Sequence, residues 1–195
     1  MSRTAQASRT TAETKIELEL ELDGSGKADI ATGVGFFDHM LDALTRHSLI
    51  DLKLRVEGDT HVDDHHTVED TGIVLGAALR EALGDKTGLG RFGDACVPLD
   101  EALVQAAVDL SGRGGLYWDV EIGPAKVGSF DTELGQEFFC GLAREAGITV
   151  HLRKLGGHNA HHILEATFKS FARALRAAIE PDPRVSGVPS TKGSL

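Results

Sequence analysis

Cysteine is nearly absent from the 195 residues: Cys96 and Cys140 are far apart and follow no pairing pattern. This excludes a disulfide framework or thiolate metal site and predicts a reducing, cytoplasmic setting. Positive charge is scarce too, with 20 Lys and Arg against 30 Asp and Glu and a formal net charge of -10. A nucleic-acid partner would need a basic face, so none is expected, and an anionic ligand must meet a local cationic patch. Long apolar runs are also missing. Met1 to Thr14 is polar, with no segment of signal-peptide character, and no later run approaches a membrane span, which predicts a soluble chain with no membrane partner. The 41% hydrophobic content is enough to bury a core, as one domain or as two compact repeats.

The periodicity favours two repeats. Ile16, Leu18, Leu20 and Leu22 alternate with Glu17, Glu19 and Glu21, as in a strand with one buried face. Asp23 to Gly26 reads as a hairpin turn into a short return strand ending near Thr32. A helix is expected from Phe36 to Arg46, a strand from Ile50 to Val56, and a second helix capped by Asp63 or Asp64 and stopped at Gly84. The second half repeats this order. Its strands fall around Glu101 to Leu110 and Leu116 to Ile122, followed by a helix from Thr132 to Ala146, a strand from Ile148 to Arg153, and a helix from His161 to Ile179. His65, His66, Glu69, Thr71, Ala78, Leu79, Arg80 and Ala82 recur 96 positions later as His161, His162, Glu165, Thr167, Ala174, Leu175, Arg176 and Ala178. The preceding helices match at 98 positions, through Leu44/Leu142 and Arg46/Arg144, whereas the strand hairpins align only by pattern.

The expected fold is therefore α+β, an internal duplication of a β-β-α-β-α unit with helices on one face of a sheet in each half. Residues 1–88 form the first repeat and 89–183 the second. The Gly/Ser/Pro-rich segment 184–195 would, by composition alone, be a loose end.

Six of nine histidines, His61, His65, His66, His158, His161 and His162, crowd the two helix entrances. Glu69 follows His65 by four residues and His66 by three, so either imidazole can share an ion with it. Neighbouring helix residues diverge by roughly 100°, so the paired histidines should serve different ions. Two such helices predict two metal sites, each drawing ligands from both halves or from neighbouring subunits. Helix-entrance histidines are commonly solvated polar groups, but two pairs in register with matching glutamates argue for ligation. His39 opens the earlier helix, and Glu137 takes the corresponding position in half two. A His/carboxylate set without thiolates suits Mn, Fe, Ni, Co or Zn, with a lean toward six-coordinate Mn. His47 ends its helix, where a cationic ring also suits the dipole. His61, His151 and His158 are expected at the surface or behind the ligands.

At Gly35-Phe36-Phe37-Asp38-His39-Met40-Leu41, Asp64-His65-His66-Thr67-Val68-Glu69-Asp70, Asp109-Leu110-Ser111-Gly112-Arg113 and His161-His162-Ile163-Leu164-Glu165-Ala166, the chain resembles the imidazoleglycerol-phosphate dehydratase family. The likeness runs from about Arg9 to Lys192 and includes Gly187-Val188-Pro189-Ser190-Thr191-Lys192-Gly193. It implies a hydro-lyase of histidine biosynthesis that converts D-erythro-imidazoleglycerol phosphate to imidazole acetol phosphate. It further implies a duplicated unit like domain 2 of ribosomal protein S5, a homo-oligomer of 24 subunits with active sites at subunit interfaces, and two Mn2+ per active site, a role other divalent metals could fill.

Carried over by position, the metal ligands fall on His39, His65, His66, Glu69, Glu137, His161, His162 and Glu165. Some relatives have His where this chain has Glu137. Phosphate-binding positions fall on Arg91, Arg113, Lys169, Ser190 and Lys192, and the catalytic positions on Glu13 and His47. The resemblance also makes 184–195 a segment that closes over the site. The mechanism hypothesised from it is loss of hydroxide from a metal-stabilised imidazolate through a diazafulvene-like intermediate. A metal-binding shell without catalysis would use the same histidines, but it leaves Arg91, Arg113 and Lys192 without work.

Overall fold

The structure is a computed structural model and describes every residue except Met1, Ser2, Pro124 and Ser194. In half one the chain forms β1 (Thr4–Thr10), β2 (Thr14–Glu21), β3 (Ala28–Ala31), α1 (Gly35–Ser48), β4 (Asp51–Gly58) and α2 (His65–Leu83). Half two forms β5 (Phe92–Leu99), β6 (Ala102–Asp109), β7 (Gly115–Asp119), a small β8 (Lys126–Val127) and β9 (Phe130–Asp131) hairpin, α3 (Leu134–Ala146), β10 (Thr149–Gly156) and α4 (Ala160–Ile179). The two main sheets have the same topology, β1-β2-β4-β3 and β5-β6-β10-β7. The duplicated α+β unit is thus present twice, each copy preceded by one further strand.

The alternation in β2 works as expected: Ile16, Leu18 and Leu20 are buried while Glu17 and Glu19 face out. The expected hairpin between β2 and β3 does not form. β2 already has β1 and β4 on its two edges, so β3 instead pairs parallel with β4, Ala28 opposite Leu52. The turn is pinned for that crossing by Asp51, whose Oδ1 accepts the backbone N–H groups of Ser25 at 2.7 Å and Lys27 at 2.8 Å. β1 and β5 had no expectation attached, because their alternation is weak: β1 buries only Ala5 fully.

The inner faces of both sheets carry the helices, with α2 on β1, β2 and β4, and α4 on β5, β6 and β10. The helix layers then meet across the halves, α1 against α4 and α2 against α3, sealed by Phe37, Phe130, Phe138, Phe139, Phe168 and Phe171. The α2–α3 contact is a close one. A Cβ on Gly72 would lie 2.3 Å from the Phe138 carbonyl oxygen, and one on Gly76 would lie 2.6 Å from that of Leu142. Because both positions advance together along α3, the helices run parallel and their N-terminal turns lie side by side.

The segment after α4 is also held. Gly90 and Arg91 donate backbone N–H groups to Glu180 and Ala178, and Gly88 exchanges bonds with Gly187 and Asp182. Among the described residues no helix is long and apolar enough to cross a membrane.

Gly72→Ala tests the close approach by its sign. Helix propensity alone would give a gain of about 1 kcal/mol, whereas forcing a methyl against the α3 backbone costs about 1–3 kcal/mol. The unfolding midpoint is expected to fall; a rise would show that α3 gives way freely.

Candidate metal centre

The parallel helix pairing places two histidine-bearing N-termini beside partner helices from the other half. On the α1–α4 side, His39 Nε2 and His161 Nε2 lie 3.2 and 3.1 Å from Glu165 Oε2. These three donors lie within 4.8 Å of one another, the only such trio of His, Cys, Asp or Glu among the described residues. Their chemistry fits a divalent ion: two imidazoles and a carboxylate at the mouth of two helices. Glu165 Oε1 accepts from Lys169 Nζ at 2.6 Å. Burial raises the Glu165 pKa, but the Lys169 ammonium and His39 outweigh it and hold the carboxyl below its ordinary value.

The α2–α3 side carries the matching positions His65, Glu69 and Glu137. His65 Nε2 is 3.7 Å from Glu69 Oε2, and Glu137 is half-buried in the first turn of α3. The structure therefore brings His39, His161 and Glu165 together tightly and leaves this second set more open.

His66 and His162 point elsewhere. Each ring stands nearly perpendicular to its neighbour, 83° from His65 and 78° from His161, with centroids more than 6 Å apart. His162 Nδ1 is 2.7 Å from Glu101 Oε2, and its Nε2 is 3.7 Å from Asp100. His66 Nδ1 is 3.1 Å from Asp59 Oδ2, and its Nε2 is 3.7 Å from Glu13. These contacts raise both histidine pKa values, chiefly through the hydrogen bonds that His162 donates to Glu101 and His66 to Asp59. Glu101 moves the other way, to about 2, through His162 first and then the Asn159 and His158 backbone N–H groups.

Local folding explains these positions. Asn159 caps α4, its side chain accepting from the backbone N–H groups of His161 and His162. For α2 the capping carboxylate is Asp63, which accepts from His65 N, while Asp64 makes no side-chain cap. Glu13 is set by its neighbours. Buried Asp70 on α2 accepts from Thr14 Oγ1 and Arg9, and the Glu13 carbonyl accepts from Asp59 N at 3.1 Å.

The expected phosphate grips fall into two groups. Arg91 donates to Asp109 and to the Pro189 carbonyl, Lys192 N donates to Ser190 Oγ, and Gly112 beside Arg113 packs on Leu195. Arg91 N bonds Ala178 O near the end of α4, so Lys169, nine residues earlier, lies about 13 Å away along the helix. Lys169 instead shares a groove of about 490 Å3 with His47, Cys96 and Arg173. Burial lowers the His47 pKa, and the Lys169 and Arg173 charges push the same way. His158 is exposed, and His151 stacks on Tyr117 at 4.3 Å on the outer sheet face.

Residues 32–175 match the model of the imidazoleglycerol-phosphate dehydratase family. The chain belongs to that family. It is 62% identical to the imidazoleglycerol-phosphate dehydratase of Acidiphilium cryptum, both chains covered in full, and 60% identical to that of Dinoroseobacter shibae, over 99% of this chain and all of the relative. Among solved structures, the Staphylococcus aureus enzyme superposes with a TM-score of 0.84 at 40% identity, covering 92% of this chain and 99% of that one. The Pyrococcus furiosus enzyme, solved in complex with (S)-C348, gives 0.84 at 41% identity over 96% and 99%. Membership of the imidazoleglycerol-phosphate dehydratase family makes this chain an enzyme of the hydro-lyase class.

Sequence reasoning missed Asp59, Asp100, Glu101 and Arg173. Glu101 had a signal: it stands one residue before β6, as Glu13 stands one before β2. That register is hidden in the sequence because the hairpins of the two halves share a pattern but few residues.

In metal-free protein the Glu101–His162 pair has a pH window. Glu101, lowered from 4.5 to about 2, stabilises above pH 4.5 and is lost as pH falls through about 2. His162, raised from 6.5, stabilises below pH 6.5 and is lost as pH rises through its raised value. The unfolding gap between EDTA-treated wild type and Glu101→Gln should be widest between those limits, pH 4.5 to 6.5. A gap that is flat with pH would contradict the pair.

Proposed function

We propose that this chain removes water from D-erythro-imidazoleglycerol phosphate, giving imidazole acetol phosphate for histidine biosynthesis, at a centre of two Mn2+ ions. The observation that carries this reading is the convergence of His39, His161 and Glu165 beside histidines that turn away from them. Family membership supports the substrate, since the relatives named above carry it in their names.

In this reading His39, His161 and Glu165 hold one ion, and His65, Glu69 and Glu137 hold the other. His66 and His162, directed away from both trios of their own chain, complete the trios of neighbouring copies, so that active sites form only in a homo-oligomer such as the 24-mer. A bound divalent metal supplies Lewis acidity at the imidazole nitrogens, which lets the ring take up electron density as hydroxide departs.

The hydroxyl on the carbon beside the ring leaves, the next carbon gives up its C–H proton, and the resulting enol tautomerises to the ketone. Glu13, half-exposed and 3.7 Å from His66 Nε2, takes the proton. His47 is held neutral by burial and by Lys169 and Arg173, which suits it to orient the departing hydroxyl by hydrogen bonding. Arg91, Arg113, Lys169, Ser190 and Lys192 bind the phosphate, with the grips that lie apart in one chain converging across copies. The segment 184–195, already tied to Arg91 through Pro189, carries Ser190 and Lys192 to it. The scarcity of thiols fits cytoplasmic work.

Metal-stripped protein should not turn over imidazoleglycerol phosphate, and Mn2+ should restore the rate; full activity without metal, or none with any divalent ion, would overturn the proposal. Glu13→Gln is expected to lower kcat roughly 100- to 10,000-fold with little change in KM. Lys192→Ala should instead raise KM, and an unchanged KM would remove Lys192 from the phosphate site.

A further inference from the structure

His66 and His162 each have Nδ1 held by a carboxylate from outside their own helix, at 3.1 Å by Asp59 and 2.7 Å by Glu101. An ionised carboxylate only accepts, so the proton of each neutral ring sits on Nδ1 and the lone pair on Nε2 faces outward. The Glu101 carboxylate and the Asp59 backbone are themselves held. Glu101 Oε1 accepts the backbone N–H groups of His158 at 3.2 Å and Asn159 at 2.9 Å, and Asp59 N donates to the Glu13 carbonyl.

The two carboxylates do not occupy equivalent positions. Glu13 and Glu101 each precede their strand, β2 or β6, by one residue; Asp59 and Gly157 each follow theirs, β4 or β10, by one. In half two the position before the strand supplies the orienting carboxylate, and the position after it is Gly157, at φ 112° and pressed against Ala102. In half one the position after the strand, Asp59, does that work. Glu13 is then left 3.7 Å from His66 Nε2, with its side chain 53% exposed.

We infer that the duplicated halves have exchanged one task between these two positions. Asp59 and Glu101 are positioning residues that set the tautomer of His66 and His162 with Nε2 free for a metal. The move of that task to Asp59 leaves Glu13 available for proton transfer. The inference rests on the proposed role of His66 and His162 as ligands.

The test is Mn2+ titration of metal-stripped, full-length protein, with free Mn2+ read by electron paramagnetic resonance. In Glu101→Gln the amide oxygen still accepts from His158 and Asn159, while its NH2 donates to His162 Nδ1 and drives the ring proton to Nε2. Asp59→Asn does the same to His66. Each variant should weaken one class of Mn2+ site about 10- to 100-fold and leave the other unchanged, whereas a loss of packing alone would move both. Glu13→Gln should bind Mn2+ like wild type.

Wild-type affinity at all sites in both Glu101→Gln and Asp59→Asn would overturn the positioning role. A loss in Glu13→Gln equal to that in Asp59→Asn would overturn the division of tasks. If one of the two orienting variants does not fold, the other decides. Wild-type protein that binds no Mn2+ would instead sink the metal-centre reading itself, before any variant is made.

Discussion

Parallel helix packing across the two halves is the constraint on which the site depends. Gly72 and Gly76 leave no side chain between α2 and the backbone of α3, and Gly141 meets Glu69 and Ile73 from the other side. A parallel pair puts like ends together. The first turns of α2 and α3, and those of α1 and α4, therefore become shared mouths where residues distant in sequence meet, as His39 and Glu165 do 126 positions apart.

Helix geometry then divides the histidines. Within each pair, one ring turns to the carboxylate one helical turn on, and the other swings away toward the loops that end β4 or precede β6. One trio closes inside the chain, its counterpart at His65, Glu69 and Glu137 stays more open, and His66 and His162 turn to other carboxylates. The metal centre proposed above uses all of them, and in that reading ion binding is coupled to assembly.

The divergence of paired histidines could be read from sequence because it needs only the helical repeat and two motifs 96 residues apart. The order of helices and strands was legible for the same reason, local periodicity. β1 and β5 were not legible, since Ala5 is the only fully buried residue of β1 and β5 buries only Gly93. The parallel placement of β3 was hidden as well. It depends on β1 having filled the free edge of β2, a long-range fact that no turn signal at Asp23 to Gly26 can carry. Asp59 and Glu101 were hidden because they lie in loops outside the helices that carry their partners His66 and His162, so no helical repeat links them. The family likeness supplied Glu13 and the phosphate grips, which look like ordinary solvated charges in isolation.

The places where the halves differ are as informative as those where they agree. A duplicated scaffold supplies two similar histidine-carboxylate clusters, but dehydration is not symmetric: one carbon loses a proton and its neighbour loses a hydroxyl. His39 and Glu137 differ, as do Glu13 and Glu101 in their contacts, and His47 corresponds to Glu145 at the end of α3. The His-His-x-x-Glu framework is repeated in both halves. The halves have diverged at Glu13 and His47, the positions proposed to handle the proton and the hydroxyl. The groove at His47 also gathers Lys169 and Arg173 in a chain with a net charge of -10. An overall acidic surface and a locally cationic site are compatible, because an anion at close range responds to the few charges within a Debye length and much less to the distant remainder.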